Sequence, residues 1–192
     1  MAAPSTVLRL ADIETPYRVP PHNVEAEQAL LGAILVNNDA YFRVSDFLEP
    51  THFSEELHRR IYDILQQLIR AGKLATPVTL KSFVGDQDLG GMTVPQYLAR
   101  LAAEATTVVN AEAYGRTIYD LAMRRQLINI GEDMVNVAYD APVDDHPRKQ
   151  IEDAERRLYE LAEQGRYDGG FQDFSSALKN AVELAESGRA HV

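Results

Sequence analysis

The sequence predicts an all-α fold: a small helical globule, then a long antiparallel helical hairpin, then a C-terminal linker helix. Three observations carry that prediction. Apolar residues recur at three- and four-residue spacing in almost every patterned segment, and β-branched alternation is scarce. Residues that start helices stand in front of those segments, at Asn23, Ser54, Thr79, Thr93 and Asn110. From Asn110 to about Tyr139 the pattern runs without proline, which at 1.5 Å per residue makes a rod of roughly 43 Å.

Residues 1–20 read as a flexible lead-in of prolines and scattered polar residues. The globule is expected over residues 21–109. Its first helix starts at Asn23, with Glu25 and Glu27 in the first turn, where the helix dipole favours anions. Leu30, Leu31, Ile34 and Leu35 form its apolar stripe, and Ala26, Ala29, Gly32 and Ala33 give a small-residue side that admits another helix closely. It stops at Asn37-Asn38. A short second helix fits Ala40 to Leu48, before Pro50. Ser54 caps a third, with Leu57, Ile61, Ile64, Leu65 and Leu68 inward and Gly72-Lys73 as its stop. Residues 75–92 are less regular: Thr79 is placed as the cap of a brief helix through Val84, and Gly90-Gly91 marks a turn. Thr93 and Gln96 have capping-box spacing, Pro95 is tolerated in a first turn, and Tyr97, Leu98 and Leu101 point inward.

The hairpin is expected over residues 110–164. The polar segment Asp140 to Pro147 breaks the long rod, and a return helix carries Ile151, Ala154, Leu158, Leu161 and Ala162 at helical spacing. A hairpin this long cannot bury both faces alone, so another copy or a partner should cover one of them. Residues 165–192 read as a joint, Gly165 to Gly170, and a last helix from about Ser175 to Glu186 with Leu178, Ala181, Val182 and Ala185 on one face. An amphipathic helix with nothing in cis to cover it usually docks elsewhere.

The formal net charge of -10, with a pI near 4.9, argues against direct binding to duplex DNA, because an acidic surface repels phosphates. Cysteine is absent, which excludes disulfides and thiolate metal sites and fits a reducing cytoplasm. No apolar run approaches the roughly 18 residues of a membrane span, and the first residues lack the blocks of a signal peptide.

No nucleotide-binding loop is visible. Gly72-Lys73 has Gln67 where the first phosphate-loop glycine should stand and Leu74 after the lysine, and neither GxGxxG nor GxSxG occurs. No catalytic residue, cofactor or metal site is therefore expected in this chain. One alternative is a metal-dependent helical-bundle enzyme using Glu55 and His58, since Glu-x-x-His puts both side chains on one helix face. The site would need a second such pair and two more inward glutamates. The plainer reading is that Glu55 and Glu56 favour the helix N-terminus and His58 bonds locally. A further alternative is a nucleic-acid-binding regulator using Arg124-Arg125 and Arg156-Arg157. The plainer reading there is a solvated face paired with Asp120, Glu152, Glu155 and Glu160. Tyr114, Tyr119, Tyr139 and Tyr159 are either interface anchors or half-buried packing.

The stretch from Pro21 to Leu35, PHNVEAEQALLGAIL, resembles the opening signature of the N-terminal domain of bacterial DnaB-type replicative DNA helicases. Further resemblances follow in order: Phe53, His58-Arg59 and Ile61-Tyr62; Val78-Thr79-Leu80; Gly90-Gly91; Tyr97-Leu98 with Leu101. Asn110-Ala111, Tyr114, Ile118, Arg125, Leu127 and Ile128 resemble the first hairpin helix, and Ala154-Glu155 with Leu158 to Ala162 the second. Phe171 onward resembles the linker helix. The resemblance covers about Pro21 to Glu186. At Val192, where the family would continue into an ATP-driven motor, this sequence ends, so the helicase activity with its ATP and Mg is expected of a C-terminal domain outside it.

The resemblance implies an assembly and primase-docking role. Family members pair through globule and hairpin into a collar of three dimers, and that collar docks the C-terminal domain of a DnaG-type primase. On the hairpin, the candidates for self-association or primase docking are Tyr114, Ile118, Leu121, Leu127, Leu158 and Leu161. On the linker helix, the docking candidates are Leu178, Ala181, Val182 and Ala185.

Overall fold

The computed structural model describes residues 18–85, 88–105, 110–142 and 146–166. Seven α-helices occur among them: α1 (Val24–Val36), α2 (Asp39–Phe42), α3 (Glu56–Arg70), α4 (Pro77–Val84), α5 (Val94–Glu104), α6 (Ala111–Asp140) and α7 (Pro147–Arg166). A 3-10 turn (Pro50–His52) lies between α2 and α3. The all-α class is as the periodicity predicts. The linker-helix positions Leu178, Ala181, Val182 and Ala185 lie outside the described residues.

Helix α1 is the axis of the globule. Its cap forms as expected, with Asn23 Oδ1 accepting from the Ala26 N–H at 2.9 Å. Leu30, Leu31 and Ile34 are fully buried, and α3, α5 and the first half of α6 pack around them. The small-residue side is where α5 crosses. A Cβ on Gly32 would stand 2.3 Å from the Leu101 carbonyl oxygen, so only glycine allows this separation. Gly115 plays the same part on α6, where a Cβ would come within 2.5 Å of Val44 Cγ1.

Several expected helix starts and ends are corrected. The second helix keeps α-helical form only to Phe42. Beyond it Val44 and Ser45 both bond back to the Tyr41 carbonyl (3.0 and 2.9 Å), a mixed pattern that carries the chain to Leu48 as turns. Ser54 does not cap α3, because its N–H and hydroxyl are both turned to Glu27. Helix α4 begins two residues before Thr79. Thr76 is its cap, Pro77 supplies the preset first-turn φ, and Thr79 closes the box by accepting from the Thr76 N–H at 2.8 Å. The Thr93-Gln96 box on α5 forms as expected, with Gln96 Oε1 accepting from the Thr93 N–H at 2.8 Å. Asn110 precedes α6 without a side-chain capping bond. Helix α7 carries past the expected hairpin end to Arg166.

The 30 residues of α6 make a rod of about 45 Å. Its first part, through Ala122, is buried against the globule; its last ten residues stand clear of it. Helix α7 returns along that outer half. Ile130 on α6, with Ala154 and Leu161 on α7, forms a thin apolar seam. The Arg157–Asp133 ion pair (2.7 Å) and a bond from Gln150 Nε2 to the Met134 carbonyl (3.0 Å) tie the rods together.

Candidate interaction surface

The chemistry inside the globule is structural. Glu27 projects from α1 into the base of α3, where its carboxylate accepts from the Ser54 N–H (2.6 Å), the Ser54 hydroxyl (2.7 Å), the Glu55 N–H (3.4 Å) and His58 Nδ1 (2.6 Å). His58 Nε2 lies 2.6 Å from the Tyr97 hydroxyl, which also accepts from Gln28 Nε2 at 3.0 Å. Burial alone would raise the Glu27 pKa. The hydrogen bonds from His58 and Ser54 outweigh it and hold the carboxyl below its ordinary value. An anion from another helix thus caps α3, using the same dipole attraction that a capping side chain uses.

This arrangement corrects the reading of Glu55 and His58. Glu55 is exposed, and both ring nitrogens of His58 are engaged, by Glu27 and Tyr97. The bond from His58 is long-range rather than local. Among the described residues no cluster of three His, Asp or Glu side chains could hold a metal, so the metal-enzyme reading gains no support.

Arg125 is corrected as well. Instead of lying on a solvated face, it donates to the Pro21 carbonyl (2.8 Å) and the His52 carbonyl (2.6 Å), pinning α6 to the chain before α1 and to the 3-10 turn. Its planar fork satisfies two carbonyls at once. His52 packs edge-on against Tyr119 at 5.1 Å, and its Nδ1 accepts from the Glu49 N–H at 2.9 Å. Burial lowers the His52 pKa, with Arg125 adding to the effect and Glu49 opposing it. A polar cleft of about 570 Å³ opens beside it, lined by Glu49, His52, Gln66, Arg70, Tyr119 and Gln126. Among the described residues no buried side-chain polar atom lacks a partner. The arginines of α7 pair as expected in kind: Arg156 with Asp153 and Glu160, Arg157 across to Asp133.

The open surface is the outer half of the hairpin. Of the six candidates, Ile118 is buried in the globule and Leu161 lies in the seam between the rods. Tyr114 and Leu121 are half-buried. Leu127 and Leu158 are 51% and 42% exposed. Helical periodicity puts Leu127 and Met134 on the same flank of the seam as Ile151 and Leu158, and Met134 and Ile151 are exposed too. Around the next face of α6, Tyr114, Leu121, Ile128 and Val135 recur every seven residues, the period of a packed helix seam. Ile128 and Val135, exposed there, are interface candidates that the sequence reading passed over; the seven-residue step from Tyr114 was the signal. Tyr139 and Tyr159 are exposed, whereas Tyr119 is core. Such a run of apolar surface, rimmed by Glu132 and Asn136, is what a partner helix covers.

Comparison with known proteins agrees with this architecture. Residues 19–120 match the family model of the DnaB-like helicase N terminal domain. The replicative DNA helicase DnaB of Rickettsia felis is 45% identical over 162 residues, which is 84% of this chain and 33% of the relative. That of Pasteurella multocida is 29% identical over 173 residues, 88% of this chain and 36% of the relative. The chain therefore spans about a third of the length of the curated relatives it matches. Among solved structures, the N-terminal domain of DnaB helicase from Mycobacterium tuberculosis superposes with a TM-score of 0.66 at 27% identity, covering 74% of this chain and 99% of that one. A DnaB-like replicative helicase, described with its interactions with primase, gives a TM-score of 0.59 at 28% identity, covering 86% of this chain and 35% of that one. Among the described residues no helix is long and apolar enough to cross a membrane. With residues 19–120 matched by the family model, across the globule and the start of α6, and the fold shared with a solved N-terminal domain, this chain belongs to the family of DnaB-like helicase N-terminal domains.

Proposed function

We propose that this chain assembles with copies of itself, as a dimer or a trimer of dimers, and docks the C-terminal domain of a DnaG-type primase. It would thereby couple priming to fork unwinding in the cytoplasm. ATP and Mg would serve a motor domain outside this sequence, and direct duplex DNA contact is not part of the role. One observation carries the reading: the exposed apolar flank of Leu127, Met134, Ile151 and Leu158, continued by Ile128 and Val135, on a hairpin whose own seam buries little. The solved helicase described with primase supports the choice of partner. In the same proposal, Leu178, Ala181, Val182 and Ala185 dock a linker helix onto a neighbouring motor domain.

The test is light scattering of the purified chain, then calorimetric titration with the primase C-terminal domain. Self-association and saturable primase binding are expected. Leu127→Asp with Leu158→Asp should weaken self-association by at least about tenfold without lowering the melting temperature, since both side chains are exposed. A strict monomer that ignores primase would overturn the proposal.

A further inference from the structure

Between Asp63 and Asp86 the chain carries no carboxylate side chain, although 29 of its 192 residues are Asp or Glu. The same stretch supplies Arg70, Lys73 and Lys81. The fold sets this carboxylate-free segment against the end of α1. Asn38 Nδ2 donates to the Ala75 carbonyl at 2.8 Å, and the Ala75 N–H donates back to Asn38 Oδ1 at 2.9 Å. Thr79 Oγ1 donates to the Leu74 carbonyl at 2.9 Å, turning the start of α4 back over Leu74. Arg70 Nε donates to the Tyr41 hydroxyl at 2.9 Å, drawing the end of α3 to α2.

Around this clamp, apolar side chains face water: Val36 and Phe42, with Leu74 and Val78 at 73% and 81% exposed. Arg43, Lys73 and Lys81 are exposed beside them, and so is one carboxylate, Asp39, at the start of α2 between Val36 and Phe42. Leu74 and Val78 contribute little to folding at such exposure, and the buried neighbours Ala75 and Leu80 already hold the segment in place. An apolar centre whose rim carries three cations against the single carboxylate of Asp39, on a chain of net charge -10, selects its occupant by sign. Pairing this patch with itself about a two-fold axis would set cation against cation. A segment with apolar anchors between carboxylates would match both centre and rim.

We propose that the Val36–Phe42–Leu74–Val78 surface docks an acidic amphipathic helix from a partner protein. The surface lies on the globule, apart from the hairpin flank to which assembly is assigned, so the two sites are separable by substitution. Anchors from the partner enter between Leu74 and Val78, while Lys73 and Lys81 meet its carboxylates.

The test uses the whole 192-residue chain, isotopically labelled, and a synthetic amphipathic peptide with Leu at i and i+4 flanked by Glu. A peptide with the same leucines flanked by Lys is the control. Shift changes confined to Val36, Phe42, Leu74, Val78 and their neighbours are expected with the Glu peptide. Lys73→Glu with Lys81→Glu should weaken that binding by about tenfold or more, and Leu74→Ser with Val78→Ser should abolish it; circular dichroism checks that both variants fold. Equal binding of the Lys peptide, shifts that map to α6 and α7, or no binding at millimolar peptide would overturn the proposal. So would loss of an oligomer on Leu74→Ser with Val78→Ser, since a second copy would then be the occupant.

Discussion

His58 Nδ1 donates to the Glu27 carboxylate across 2.6 Å in the interior of the globule, and both side chains are buried. With a neutral ring, that donor leaves Nε2 to accept from the Tyr97 hydroxyl, whose oxygen accepts in turn from Gln28. Every member of the chain of bonds then has one donor for each acceptor. Three helices, α1, α3 and α5, meet in this network, so it fixes their relative placement as well as adding stability.

Glu27→Gln is nearly isosteric but removes the charge, and it sets an amide donor against the N–H donors that converge there. Loss of the charge-assisted bonds and a buried mismatch should cost about 2–4 kcal/mol. Urea unfolding of the variant checks this. A loss below about 1 kcal/mol would mean that the carboxylate is not what holds α3 in place.

Two groups contribute to the acid limb of stability. His52 and Glu27 both have folded pKa values below their ordinary 6.5 and 4.5. A depressed folded pKa adds stability above the unfolded value and loses it as pH falls toward and through the folded one. The melting temperature should therefore begin to fall below about pH 6.5, from His52, and fall again below about pH 4.5, from Glu27. His52→Asn keeps an acceptor near the Nδ1 position, facing the Glu49 N–H, and should remove the upper step only. An unchanged upper step in that variant would assign it elsewhere.

Legibility in the sequence followed periodicity. Helices α1, α3, α5 and α6 could be placed because their apolar residues recur at helical spacing, and the Thr93 box because its two partners are three residues apart. What stayed hidden depends on distant partners. Glu27 read as a first-turn dipole residue, and nothing local shows that it caps a helix beginning 29 residues further on, at Glu56. Ser54 looked like the cap for the same reason. Arg125 looked solvated because its two acceptors are backbone carbonyls, which leave no mark in a sequence. The hairpin candidates divide similarly: a 3-4 pattern marks Ile118 and Leu127 alike as apolar, and only packing buries the first and leaves the second open.

Arg125 offers a direct check of that hidden part. Its bonds reach the carbonyls of Pro21 and His52, one nitrogen to each, at 2.8 and 2.6 Å. A lysine ammonium is a point donor and cannot span both acceptors. Arg125→Lys and Arg125→Ala should both destabilise, by about 1–3 kcal/mol, and hydrogen exchange should speed up in the segment before α1 and around the 3-10 turn. Full rescue by lysine would show that charge, rather than the fork, is what the site requires.

Gly131 separates stability from assembly on the hairpin. It lies in mid-helix between Ile128 and Val135, and a Cβ built there meets nothing within 4 Å. Glycine in such a position costs a helix about 0.5–1 kcal/mol relative to alanine, so Gly131→Ala should raise the melting temperature. The open space beside it, bordered by Leu127, Ile128 and Val135, is a notch wide enough for a knob from a facing helix. Gly131→Leu fills that notch without touching this chain's own packing. It should fold as stably as the alanine variant yet associate more weakly by about tenfold, measured by analytical ultracentrifugation across a concentration series. If the leucine variant associates as the parent does, the partner helix does not enter between Ile128 and Val135, and the contact must lie on the Leu127–Leu158 flank instead.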